Sequence, residues 1–125
     1  IDASGVLRGE AKKLFRGTID FKKGAAGAVG NEKEDVLLLD DDVVNQTIPL
    51  ILCAEEDVEG NHGATIGKLD EDLVFYLESR GMTLAEIYKM MAKARIDAVL
   101  RFVPDEKTKA DVASYLESEG SNGCE

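Results

Sequence analysis

The chain has 125 residues, 44% hydrophobic and 32% charged, a balance that suits a globular core and not a disordered chain. A formal net charge of −10 repels phosphate backbones and anionic membrane surfaces, so neither nucleic acid nor a membrane is an expected partner. No apolar run approaches the roughly 18 residues of a membrane span, and two cysteines, Cys53 and Cys124, are too few for a disulfide framework and fit a reducing cytoplasm.

The opening residues Ile1–Gly5 show neither an initiating Met nor a signal-peptide pattern, and the chain reads as a piece of a longer one. A first strand is expected over Val6–Ala11. A second runs from Phe15 to Phe21, where Phe15, Gly17, Ile19 and Phe21 alternate with polar residues at the period of two that sends one side to a core. The glycine-rich stretch Gly24–Gly30 breaks the pattern. Val36–Leu39 reads as a short buried strand stopped by Asp40–Asp42. Pro49 opens another, Leu50–Ala54, and Ala64–Ile66 suggests a last one. Short strands with no helices between them fit either an antiparallel sandwich or a β-solenoid. With no strict repeat in view, the pattern leaves both open.

Beyond Leu69 helical signals take over. Asp70–Asp72 places acids where the helix dipole favours them, Leu73–Leu77 supplies the apolar turn, and Gly81 is a natural stop. Thr83-Leu-Ala-Glu86 is a capping box. Behind it, Leu84, Ile87, Tyr88, Met91, Arg95, Ala98, Val99 and Phe102 follow helical spacing, an almost continuous apolar stripe that reads first as core. That helix should end before Pro104. A third, over Asp105–Glu119, should bury Val112 and Leu116, and residues 120–125 read as a flexible tail.

The residues that could carry chemistry are few. His62 is the only histidine, and imidazole can carry a proton or a metal near neutral pH. In a glycine-rich turn, its plain reading is an inert surface side chain. Cys53 reads as a small buried hydrophobe, and its spacing to His62 fits no zinc pattern. The clusters Asp40–Asp42 and Glu55–Asp57 lack the EF-hand arrangement and read as solvated turns. Gly24, Gly27 and Gly30 precede no helix, so they make no phosphate-binding loop. No nucleophile–histidine set is visible. A stand-alone metal enzyme using His62 with Asp57 or Glu59 is the alternative the residues offer, and the ligand spacing is poor.

One longer pattern carries further. Cys53–Gly81 contains His62-Gly-Ala-Thr65, Leu69-Asp-Glu71, Phe75-Tyr-Leu77 and Ser79-Arg-Gly81, preceded by Phe15-Arg-Gly17 with Ile19, Leu37-Leu-Leu39 and Ile48-Pro49. These stretches resemble the C-terminal signature of the SufB/SufD family of iron–sulfur cluster assembly proteins. The resemblance implies an α+β fold: the end of a right-handed parallel β-helix over residues 1–69, then a small C-terminal helical domain over 70–119. It implies a non-enzymatic scaffold working with SufB-like and SufC-like partners. His62 would be the residue at the cluster-assembly interface, and itself a candidate metal ligand. The helical region around Met82, Tyr88 and Met91 would dock the SufC ATPase. No cofactor would reside in this chain, and a transient iron–sulfur cluster would form in the full complex. SufB-like members are expected to carry a cysteine at the position of Glu34 and a glutamate at that of Gly63, so the departures point to the SufD-like side, with a SufB-like scaffold as the alternative. A β-helix end with exposed backbone is also expected to self-associate.

Overall fold

The computed structural model describes residues 1–119, and the tail with Cys124 lies outside the described residues. The chain is α+β, with five strands followed by three helices: β1 (Asp2–Leu7), β2 (Lys12–Phe21), β3 (Ala28–Leu38), β4 (Val44–Cys53), β5 (Val58–Gly67), α1 (Glu71–Ser79), α2 (Leu84–Leu100) and α3 (Glu106–Glu119). It forms two compact units, the first spanning Ile1–Leu69 and the second beginning at Asp70.

In the first unit the strands alternate between two sheets, one ordered β1-β3-β5 and the other β2-β4. Every pairing is parallel. Asp2 lies beside Lys33, Lys12 beside Val44 and Ala28 beside Val58, so each sheet is revisited after about 31 residues. An antiparallel sandwich, one of the two arrangements open from the strand pattern, is excluded by this pairing. Side chains of the two sheets meet in between. A Cβ at Gly30 of β3 would stand 2.6 Å from Ile19 Cγ2 and 2.9 Å from Phe21 Cζ, both on β2. Glycine here lets two aromatic and branched side chains lie against backbone. Leu7, Phe21, Val36, Leu37 and Leu39 form the buried apolar part of this unit.

Several boundaries differ from the expectation. The first strand is Asp2–Leu7 and not Val6–Ala11. Arg8–Ala11 is a turn, closed by Ala11 N–H donating to the Arg8 carbonyl at 3.1 Å and by Gly9 N–H donating to Asp40 at 2.6 Å. The expected short strand Val36–Leu39 is instead the end of an 11-residue strand that stops at Leu38 and also takes in Glu32-Lys-Glu-Asp35. Pro49 sits inside β4 rather than at its start, which an outer strand of a sheet tolerates. The last strand, expected at Ala64–Ile66, extends back to Val58, so the glycine-rich stretch around His62 is strand and not turn. Its parallel ladder with β3 pairs one edge of the segment and holds it extended despite weak strand propensity.

In the helical unit the caps fall where the sequence places them. Asp70 accepts from Leu73 N–H at 3.1 Å. Gly81, at φ 93°, ends α1, with Met82 N–H on the Leu77 carbonyl and Gly81 N–H on that of Glu78. Thr83 and Glu86 close the capping box at the start of α2. The apolar stripe of α2, however, is not core: of its members only Ile87 is buried, while Leu84, Val99 and Phe102 are exposed. Val112 and Leu116 are half-buried, not buried. Three helices with one close α1–α2 contact among them give the stripe too little surface to be covered by.

Candidate functional site

The inward positions of the strands bring together residues that are far apart in the chain. On β2 the period of two that aligns Phe15, Gly17, Ile19 and Phe21 also includes Lys13. On β3 it selects Gly30, Glu32, Glu34 and Val36, and on β5 Gly60, His62 and Ala64. Register sets Glu32 directly beside His62, and on the other sheet it sets Lys13 beside Asn45 and Phe15 beside Thr47. A polar cluster of Lys13, Glu32, Glu34, Asn45, Thr47 and His62 therefore lies between the sheets, with Glu32 and His62 one inward position along the strands from Glu34.

Its best-satisfied member is Glu34, fully buried at 0% exposure. The Lys13 ammonium donates to one carboxylate oxygen, and the Thr47 hydroxyl donates to the other at 2.6 Å. Lys13 also donates to Asn45 at 3.2 Å. Burial is the largest single influence on the Glu34 carboxyl and pushes its pKa up. The Lys13 and Thr47 hydrogen bonds, with the charges of Lys13 and His62, outweigh it and hold the group below the ordinary glutamate value.

Glu32 is buried almost as completely, at 2% exposure, and its surroundings differ. Neither oxygen has a hydrogen-bond donor among the described residues. The group facing it is His62, whose Nδ1 stands 3.9 Å from Oε1 and whose side chain remains 29% exposed. On the opposite sheet Gly17 makes the space: a Cβ there would fall inside the Glu32 carboxylate.

His62 is thus an inward-facing residue on the outer strand of its sheet. Of the carboxylates named with it from the sequence, Glu59 holds the Asn61 amide at 2.8 Å, and Asp57 offers its backbone carbonyl to Gly27 N–H at 2.6 Å. Among the described residues, no three His, Cys, Asp or Glu side chains gather into a metal-binding set. Cys53 is exposed and not the buried hydrophobe expected, because β4 is the outer strand of its sheet. Its thiol donates to the Glu55 carbonyl at 2.9 Å. Met82, Tyr88 and Met91 are half-buried. The most exposed aromatics after Leu69 are instead Phe75 on α1 at 71% and Phe102, just past the end of α2, at 72%.

Sequence reasoning missed Lys13, Glu32 and Thr47. Extending the alternation of β2 back by two residues would have found Lys13. Glu32 needed the strand-to-strand offset, which no local pattern displays.

The profile of the SUF system FeS cluster assembly SufBD core domain matches residues 1–95. An iron–sulfur cluster assembly SufBD family protein of Mycobacterium bovis is 34% identical over 85% of this chain. The iron–sulfur cluster assembly protein SufD of Bacillus subtilis is 28% identical over 90% of it, and a SufBD family protein of Staphylococcus haemolyticus is 29% identical over 98%. The chain spans 12% of the length of the first of these relatives and 26% and 27% of the other two. The signature around His62 lies inside the matched region, and with it this chain belongs to the SufB/SufD core-domain family of the SUF iron–sulfur cluster assembly system.

Proposed function

We propose that this chain is the C-terminal part of a SufD-like scaffold subunit, that it acts without catalysing a reaction of its own, and that its parent pairs with a SufB-like subunit and docks a SufC-like ATPase in the cytoplasm. The observation that carries the reading is the position of His62. It lies on an outer strand, partly open to solvent, inside the family signature, with a buried carboxylate behind it. A histidine so placed can offer one ring nitrogen to a metal or a proton while a partner's groups supply the rest. The nascent iron–sulfur cluster is the cargo of that interface and not a resident of this chain. Glu34 favours the SufD-like assignment over the SufB-like one. It occupies the position expected of a cysteine, and it is committed to Lys13 and Thr47.

On the same reading, the two sheets are the last coils of a right-handed parallel β-helix. Three parallel offsets of 30 to 32 residues support it, as each coil of such a helix revisits the same sheet at near-constant spacing. The helical unit, around Met82, Tyr88 and Met91, is the docking face for the ATPase, and the exposed Leu84 and Met90 extend that face.

The test is reconstitution of the parent protein with its SufB-like and SufC-like partners. His62→Ala is expected to leave the complex assembled and to reduce cluster formation at least tenfold. Full cluster formation by the variant removes His62 from the mechanism. Failure of the parent to bind either partner removes the scaffold reading itself.

A further inference from the structure

Glu32 and Glu34 project from successive inward positions of one strand into the same space, and both are shielded from water. Only Glu34 is answered by a lysine and a hydroxyl. A buried carboxylate with no donor is disfavoured unless a charge or a proton-bearing group compensates it. Two independent features fix where Glu32 must find that group. Gly17 on the facing sheet keeps clear the volume that the carboxylate occupies. Strand register holds the His62 ring beside it, with Nδ1 as the nearer nitrogen at 3.9 Å. The nearby charges, Glu34 on β3 and Lys13 on β2, are engaged with one another.

We propose that Glu32 is the positioning residue for His62: its carboxylate accepts a proton-bearing Nδ1, fixes the ring as the Nδ1–H tautomer, and leaves the Nε2 lone pair for an incoming metal ion or proton. The contact closes by about 1 Å to become a hydrogen bond of ordinary length. A carboxylate that accepts from the far nitrogen of a ligating imidazole sets its tautomer and orientation. Glu32 so acts without touching the cargo, and the buried strand gives the imidazole a fixed direction. This deepens the reading of His62 as the assembly residue and rests on it.

His62 is the only histidine of the chain, so long-range proton–nitrogen NMR of its imidazole, at a pH where the ring is neutral, reports one tautomer without assignment ambiguity. The wild-type ring is expected as Nδ1–H. Glu32→Met, which keeps the volume and removes the acceptor, should move it towards Nε2–H, and Glu32→Gln, whose amide oxygen can still accept, should restore much of the wild-type pattern. In the parent's complex, Glu32→Met should lower cluster formation about tenfold or more. Gly17→Ala displaces the carboxylate from the opposite side and is expected to shift the tautomer in the same direction, so the idea stays testable if Glu32→Met does not fold. An Nε2–H ring in the wild type, or a tautomer indifferent to both variants, overturns the pairing. A shifted tautomer with full cluster formation in Glu32→Met, alongside loss in His62→Ala, overturns the positioning role while leaving His62 in place. Full cluster formation in His62→Ala itself overturns the assembly reading, and the tautomer shift then stands as the separate evidence for the pair.

Discussion

Lys13 and Glu34 show how a charge is held inside this protein. Glu34 is wholly buried, and Lys13 keeps 21% of its side chain exposed, so the pair lies at the edge of the core with the anion on the inside. Removing the cation strands the anion. Lys13→Met should therefore destabilise the first unit by about 3 kcal/mol, the lower end of the range for a broken buried pair because the lysine is partly solvated. Replacing both residues by apolar ones of similar size should recover most of that loss. Denaturant midpoints of the single and double variants decide it, and an unchanged midpoint in Lys13→Met would mean that the pair contributes nothing. The acid limb follows from the same geometry. Folding lowers the Glu34 pKa, so the unfolded chain takes up its proton first. The stabilisation is complete above about pH 4.3, the ordinary glutamate value, and is lost as pH falls below it through the folded-state value. Glu34→Gln should flatten that part of the stability profile relative to wild type. A profile of the same slope would place the acid sensitivity elsewhere, for example at Asp41, whose pKa the hydrogen bond and charge of Lys68 lower.

At the scale of elements, the strands depend on close approach between sheets and the helices on their caps. Gly30→Ala puts a methyl within 3.0 Å of both the branched Ile19 and the ring of Phe21. Overpacking of this kind costs about 1–3 kcal/mol, to be read as a lower thermal midpoint of the strand-rich unit. Gly17→Ala meets the end of a flexible carboxylate instead, so its stability cost should be smaller than that of Gly30→Ala, and the reverse order would contradict the packing described. In the helical unit Thr83→Ala removes a cap whose hydroxyl accepts from Glu86 N–H at 3.3 Å. It should cost about 1 kcal/mol and lower the helix content of the second unit on heating. The uncovered side of α2 gains its meaning at this scale too. A helix with Leu84 and Val99 in water, and Phe102 exposed just beyond its end, needs either a further layer or a partner.

For the whole molecule, the same open surfaces set its behaviour in solution. Each sheet has two outer strands with free backbone groups, β1 and β5 in one and β2 and β4 in the other. Ile48, Leu50 and Leu52 are exposed on β4. Unpaired strand edges beside apolar side chains are templates for pairing with another chain. The 125-residue chain is expected to associate as its concentration rises, which light scattering would show as mass increasing with concentration. A constant monomer mass across the series would mean that the edges are protected, and the net charge of −10 is the feature that would protect them.

What the sequence determines by itself is local. The capping box at Thr83, the stop at Gly81 and the alternation of Phe15–Phe21 act through contacts a few residues apart, so their patterns survive in the linear string. The Gly60–Gly63 stretch shows the limit: its composition says turn, and only the ladder with β3 makes it part of a strand. The cluster around His62 shows it more fully. Lys13, Gly17, Glu32, Thr47 and His62 come from four strands, and no short window contains two members from different strands in a telling spacing. Parallel pairing at offsets of 30 to 32 residues brings them to neighbouring inward positions. That placement follows from the register of whole strands, and a slip of one residue would turn each of these side chains to the other face. The family could be read from the signature. That one of two neighbouring glutamates is satisfied by a lysine while the other is left facing the histidine was decided by the tertiary structure alone.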